Sequence, residues 1–368
     1  VAGKRRALVT VCALCALLAA PVAQAQQCAS PQGTYGGPVS WAQRLVGAER
    51  VWPLTDGAGQ RVAVVAPGVE ADGQLAGRVR DAGADCDGRG TFAAGLIAAQ
   101  PDRDTTFTGI APGAQILAVR MTGSDPDALA AAINRAVDGG ATVVAVLAPA
   151  LGSSGALVSA VRNAQANDVV LVASAAGDKP GTKTYPGALP GVLAVGAVDA
   201  HGGAVSAEAG DHLSLAGPGT DLVSTSAGGA GHRWGVSSSL FGAAYVAAAA
   251  ALVRGYRPEL TAEQVRTRLL VTASGGSGGH SAAVGWGIVD PYAAVTAELP
   301  KNVRAPVVGA STGERPRPTV AIAAGPPGPG EHEKLPGALA VLGVLTAGIA
   351  VVATAAVRRG KARGWRMG

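Results

Sequence analysis

The sequence predicts an α/β fold in which a parallel β-sheet is covered by helices on both faces. Short, continuous apolar runs of strand length recur along the chain, as buried parallel strands require. Segments with helical spacing alternate with them, the order that builds a two-sided sheet. The composition agrees: 54 of 368 residues are glycine and only three are phenylalanine, which suits tightly packed helices and glycine-rich turns. The chain is long enough to bury a large core.

The elements follow in order. A short amphipathic piece is expected near 41–52. Residues 62–65 read as the first buried strand and 91–100 as a helix. Residues 115–120 form a second strand. Residues 125–139 form a helix with Asp125 as its N-cap and Gly139-Gly140 as its stop. A strand at 142–147, a helix at 156–167 and strands at 169–173 and 192–198 continue the alternation. Residues 240–254 are almost all alanine and valine, so this long helix is buried on most sides. A helix at 261–272 opens with a capping box, Thr261 with Gln264. There are no internal repeats.

The two ends of the chain have a different character. Residues 1–25 carry Lys4, Arg5 and Arg6, an apolar run from Ala7 to Ala20, and Ala23-Gln24-Ala25. That is the anatomy of a secretory signal peptide; a retained anchor is the alternative, against which the shortness of the run counts. Residues 26–60 read as an N-terminal extension and 61–300 as the main domain. Residues 301–336 interleave Pro306, Pro316, Pro318, Pro326, Pro327 and Pro329 with glycines and charges, the composition of an extended linker. Residues 337–357 then give 21 positions without a charge, the length of one transmembrane helix. Arg358, Arg359, Lys361, Arg363 and Arg366 in the tail, 358–368, belong on the cytoplasmic side, which puts the main domain outside. The two ends carry three and five of the positive charges, more than the net charge of +5 of the whole chain. The middle is mildly acidic, which argues against nucleic acid as a partner.

Of four cysteines, Cys12 and Cys15 fall in the signal segment. Cys28 and Cys86 remain, and in an exported chain two thiols most simply form one disulfide. Without a nearby histidine they supply too few ligands for a metal, and no motif calls for a cofactor. Gln26 and Gln27 before Cys28 disfavour a lipoprotein site.

Three stretches carry a family resemblance. Arg61-Val62-Ala63-Val64-Val65-Ala66-Pro67-Gly68-Val69 resembles the strand and turn that end in Asp-Thr-Gly of subtilisin-like proteases, with Ala66 at the aspartate. Asp85-Cys86-Asp87-Gly88-Arg89-Gly90-Thr91 resembles Asp-Gly-His-Gly-Thr, with Arg89 at the histidine. Ser238-Ser239-Leu240-Phe241-Gly242-Ala243-Ala244-Tyr245-Val246-Ala247 resembles Gly-Thr-Ser-Phe-Ala-Ala-Pro-Tyr-Val-Ala, with Leu240 at the serine. Further stretches, Gly109-Ile110-Ala111-Pro112 and Gly285-Trp286-Gly287-Ile288-Val289-Asp290-Pro291, resemble the family's Gly-Ile-Ala-Pro turn and closing segment. With Trp41-Ala42-Gln43-Arg44-Leu45 and the order of signal, domain, proline-rich linker, span and basic tail, the chain is most similar to the mycosins. These are membrane-anchored subtilisin-like proteases of type VII secretion systems. The resemblance implies a three-layer α/β sandwich around a parallel sheet, with an extension that wraps the domain, as a Cys28–Cys86 bridge would allow. It also implies a type VII secretion membrane complex as partner.

The chemistry does not follow the resemblance. A serine peptidase needs a hydroxyl nucleophile, an imidazole base, a carboxylate to orient it and a donor for the oxyanion. Ala66 orients nothing, Arg89 stays protonated and Leu240 has no nucleophile. Ala173-Ser174-Ala175-Ala176-Gly177-Asp178 resembles a segment ending in asparagine, with an anion, Asp178, at the oxyanion donor. Losing nucleophile or base alone costs about 10⁶ in turnover, or about 8 kcal/mol of barrier. A shifted alignment makes Gly235-Val236-Ser237 the Gly-Thr-Ser and Ser237 a fallback nucleophile, still without a base. His201, His212, His232, His280 and His332 occupy no motif position, and Lys179 reads as a loop lysine. Arg89 and Asp178 either pair across the former site or are solvated separately. The expected function is that of an inactive protease homologue with a structural or peptide-binding role, the alternative being an active endopeptidase using displaced residues.

Overall fold

The computed structural model describes residues 28–306 apart from 178, 180, 206–209, 276–278 and 301–302. The segments read as signal peptide, membrane span and basic tail, and the linker except 303–306, lie outside the described residues.

Seven strands form one parallel sheet. They are β1 (Arg61–Ala66), β2 (Val79–Arg80), β3 (Gln115–Arg120), β4 (Val143–Val146), β5 (Val170–Ser174), β6 (Leu193–Val198) and β7 (Leu215–Pro218), in the spatial order β2-β3-β1-β4-β5-β6-β7. β1 lies centrally, with Val62 opposite Ile116 on one side and Val143 on the other. Successive side chains of a strand point to opposite faces, and β1 divides accordingly. Ala63 and Val65 join Leu117, Val144 and Leu171 against Leu129 and Ile133 of α3 (Pro126–Asp138) and Leu157 of α4 (Gly155–Ala166). Val62, Val64 and Ala66 join Val172 and Val195 against Phe92 of α2 (Arg89–Ala98) and Tyr245 of α5 (Gly242–Tyr256). This is the three-layer sandwich the sequence implied.

Helix α5 runs through the core, with every residue from Gly242 to Val253 buried. Its first residue must be glycine: a Cβ there would lie 2.5 Å from the Gly196 carbonyl oxygen of β6. The expected helical start at 240 is instead a 3-10 turn, Ser239–Phe241, because the Ser238 hydroxyl accepts from the Leu240 amide and tightens the entry. Residues Ser239–Tyr256 are apolar and long enough to cross a bilayer, but they are mostly buried within the domain, so their hydropathy reflects the core. Helix α6 (Ala262–Thr272) carries the Thr261/Gln264 capping box as expected.

Several elements escape sequence patterning. β8 (Leu222–Thr225) and β9 (His232–Val236) form an antiparallel pair, and α7 (Pro291–Thr296) starts at an Asp290 cap. The extension also has its own structure. α1 (Trp41–Val46) opens with a Ser40/Gln43 capping box. Gln32 and Gly33 exchange backbone hydrogen bonds with His232, adding extended chain to the edge of β9. The indoles of Trp41 and Trp52 donate to the carbonyls of Thr220 and Ile110, so the extension clamps the domain at separate points. The Cys28–Cys86 disulfide ties its start to the loop before α2, and the Ala29 amide donates to the Cys86 carbonyl beside it.

Candidate functional site

The motif positions converge where β1 ends and α2 begins. Ala66 is the last residue of β1 and is buried. Gly90, in the first turn of α2, rests on it: a Cβ at 90 would lie 1.8 Å from the Gly68 carbonyl oxygen and 2.8 Å from the Ala66 Cβ. Positions 66 and 89 are therefore neighbours across a contact that admits no side chain at 90. The third motif is joined through aromatic packing, with the Phe92 and Phe241 rings 4.6 Å apart. Leu240, half-buried, immediately precedes Phe241 at the mouth of α5. The stretches that contain Ala66, Arg89 and Leu240 are linked through Gly90 and through Phe92 with Phe241. Asp178 lies outside the described residues.

The loop entering α2 is held by carboxylates. Asp85 is buried and its Oδ2 accepts the Thr91 amide at 2.7 Å, while its Oδ1 has no hydrogen-bond partner. Burial raises its pKa, and the Asp87 charge adds to that, outweighing the hydrogen bonds from Thr91. Asp87 behaves oppositely: desolvation pushes its carboxyl up, but hydrogen bonds from the Arg89 side chain and backbone together hold it below the usual range.

Arg89 is the partner of Asp87, at 2.6 Å from Nη2 to Oδ2, with its backbone amide donating to Asp87 Oδ1. The sequence leaves open whether Arg89 pairs with Asp178 or is solvated separately, and Asp178 lies outside the described residues; among the described residues, the acid that holds Arg89 is Asp87. The pair is 42% and 38% exposed. An exposed pair of this kind contributes at most about 1 kcal/mol, so it orients the side chain more than it stabilises the fold.

The fallback residues take structural places. Ser237 is exposed, and its hydroxyl accepts the Asp221 amide at 2.9 Å, tying the chain after β9 to the chain before β8. His232 is buried. Its Nδ1 accepts the Tyr35 amide, so its Nε2 carries the proton and donates to Gln74 Oε1 at 2.7 Å. Burial holds its pKa below the ordinary value. His280 Nε2 meets the Leu213 carbonyl. His212 is half-buried and its pKa is lowered by burial and then by Lys183. His201 and Lys179 are exposed, and His332 lies outside the described residues. Among the described residues, no histidine nitrogen hydrogen-bonds to a serine hydroxyl, and no cluster of metal-ligating side chains occurs.

The comparisons with known proteins agree with this architecture. The Peptidase_S8 pattern, described as the subtilase family, matches residues 66–287. Mycosin-4 of Mycobacterium tuberculosis is 32% identical over 406 residues, covering 92% of this chain and 87% of its own length. Subtilisin DY of Bacillus licheniformis is 33% identical over 57% of this chain and 78% of its own. Among solved structures, the MycP3 protease from the type VII (ESX-3) secretion system superposes with a TM-score of 0.64 at 33% identity, covering 73% of this chain and 92% of that one. A chain of an intact ESX-5 inner membrane complex gives a TM-score of 0.66 at 28% identity, covering 90% of this chain and 94% of that one.

Proposed function

We propose a function from one premise: the chain belongs to the subtilase family, and it is mycosin-like. It acts as a module of a type VII secretion membrane complex, anchored by one span at 337–357 after export directed by 1–25, with its folded domain outside the cytoplasm. It hydrolyses no peptide bonds; its role is structural or peptide-binding. Similarity to chains of ESX-5 inner membrane assemblies supports the partner. The observation that carries inactivity is the geometry at β1 and α2. Ala66 and Arg89 are neighbours through Gly90, and the guanidinium of Arg89 is engaged by Asp87. A protonated guanidinium at the place of the base takes no proton from any nucleophile.

The competing reading, an active endopeptidase, has Ser237 as its nucleophile. The residue is exposed, but its hydroxyl accepts from a backbone amide and meets no base among the described residues. A fluorophosphonate probe on the purified full chain separates the two. No labelling is expected. Labelling abolished by Ser237→Ala would establish the active reading.

A further inference from the structure

The extension and the domain form an open cavity of about 740 Å³ beside positions 66 and 89, its wall including Pro67, next to Ala66, and Asp87, the partner of Arg89. Gln32 stands on the extension side; Pro67, Asp87, Arg120, Thr122 and Arg233 stand on the domain side. We propose that this cavity binds the carboxylate of an acidic peptide segment.

The charge in the cavity is unbalanced. Arg120 ends β3 and Arg233 lies in β9, yet both line the cavity. Among the described residues, neither takes part in an ion pair. Among the described residues, Asp87 is the one carboxylate in the wall, and Arg89 already engages it at 2.6 Å. Two uncompensated cations therefore share one concavity, where the walls focus their field toward a bound anion. Arg233 also approaches the start of α2, since a Cβ at Gly88 would lie 3.7 Å from its Nη1. The positive end of that helix adds to the same field.

The chemistry of the donors selects the ligand. Guanidinium forks match the two oxygens of a carboxylate. The cavity is far larger than one small anion and lies within the range of sites that enclose a molecular ligand. Pro67 supplies apolar wall, and Gln32 and Thr122 supply hydrogen-bonding groups, which suits a peptide carrying the acid. The bridge at Cys28 fixes the extension side of the cavity, so the site exists only while extension and domain are joined.

This inference deepens the peptide-binding arm of the proposed function by naming the chemistry of the ligand. Its test reads binding, whereas inactivity is read by covalent labelling, so either can fail alone. The full chain in detergent is titrated against a fluorescein-labelled Gly/Ser peptide containing a run of glutamates, and against its glutamine counterpart, by anisotropy. The glutamate peptide is expected to bind at least about tenfold more tightly. Arg120→Gln and Arg233→Gln are each expected to weaken it by about tenfold. Arg162→Gln, which removes an exposed charge on α4, leaves binding unchanged. Melting temperatures verify folding, and if Arg233→Gln unfolds, Arg233→Lys keeps the charge and loses the fork, so its affinity falls by less. Equal affinity for the two peptides, no binding of either, or indifference to both arginine substitutions overturns the proposal. Displacement by inorganic phosphate at the peptide's own concentration also overturns it, by showing a small-anion site.

Discussion

Replacing both cysteines, Cys28→Ser with Cys86→Ser, tests how the extension is joined to the domain. The two residues are 58 apart in sequence. Closing a loop of that length removes about 4 kcal/mol of conformational freedom from the unfolded chain at 25 °C. For a domain of this size, each 1 kcal/mol moves the melting temperature by about 2–4 °C, so the double variant is expected to melt about 8–16 °C lower. The structure adds a local expectation. The backbone bonds from Ala29 to Cys86 and between Gln32, Gly33 and His232 lie just beyond the bridge, and they must then hold the extension unaided. Residues 28–35 should therefore become the first site of limited proteolysis. The assay is thermal unfolding of the full chain by circular dichroism, with and without reductant. Reductant must reproduce the loss in the wild type and leave the double variant unaffected. A shift below about 2 °C, or a reductant effect on the double variant, refutes the reasoning.

Other expectations follow from the core and the former site. Gly242→Ala places a methyl 2.5 Å from the Gly196 carbonyl oxygen, so chemical denaturation should show a loss of about 1–3 kcal/mol. Restoring the three replaced positions together, Ala66→Asp, Arg89→His and Leu240→Ser, is expected to create fluorophosphonate labelling at position 240. Leu240→Ser alone should not label, because its base position still holds a guanidinium. His232 makes stability pH-dependent. Its folded pKa lies below the unfolded value of 6.5, so the stability it contributes is present above pH 6.5 and is lost as pH falls through the folded pKa. The difference in urea midpoint between about pH 7.5 and about pH 5 should shrink in His232→Gln.

What was legible in the sequence depended on how many residues carried each signal. β1 and α5 announce themselves, because a run such as Val62 to Val65 or an alanine-rich stretch with few alternatives has one stable destination, the interior. The caps at Asp125 and Thr261 were readable because a single side chain and the amides it accepts lie within one turn. β7 and β9 were not. β7 ends in Gly217-Pro218, residues that weaken a strand, and β9 includes His232, Arg233 and Gly235. Those strands owe their existence to partners distant in sequence, β6 for one, and β8 with the extension for the other. The site divides in the same way. The family resemblance groups Ala66, Arg89 and Leu240 as motif positions, each within a short stretch readable on its own. The cavity between Arg120 and Arg233 had no motif, because its two cations come from separate strands and its outer wall from the extension.

The motif residues around positions 66, 89 and 240 have structural roles of their own. Gly90 remains necessary because β1 and α2 touch there, whatever reaction occurs. Asp85 and Thr91 hold the helix start, the carboxylate accepting the Thr91 amide and the Thr91 hydroxyl accepting the Glu70 amide. Phe92 and Phe241 pack α2 on the entry to α5, worth about 0.5–1.5 kcal/mol beyond their buried area. None of these contacts uses the side chain of residue 66, 89 or 240 as a hydrogen-bond partner. A nucleophile, base and orienting acid are supported by the fold without supporting it in return. Ala66 joins the core, Leu240 is half-buried, and Arg89 turns to the exposed Asp87. The packing between β1, α2 and α5 therefore does not depend on hydrogen bonds from the side chains at 66, 89 and 240.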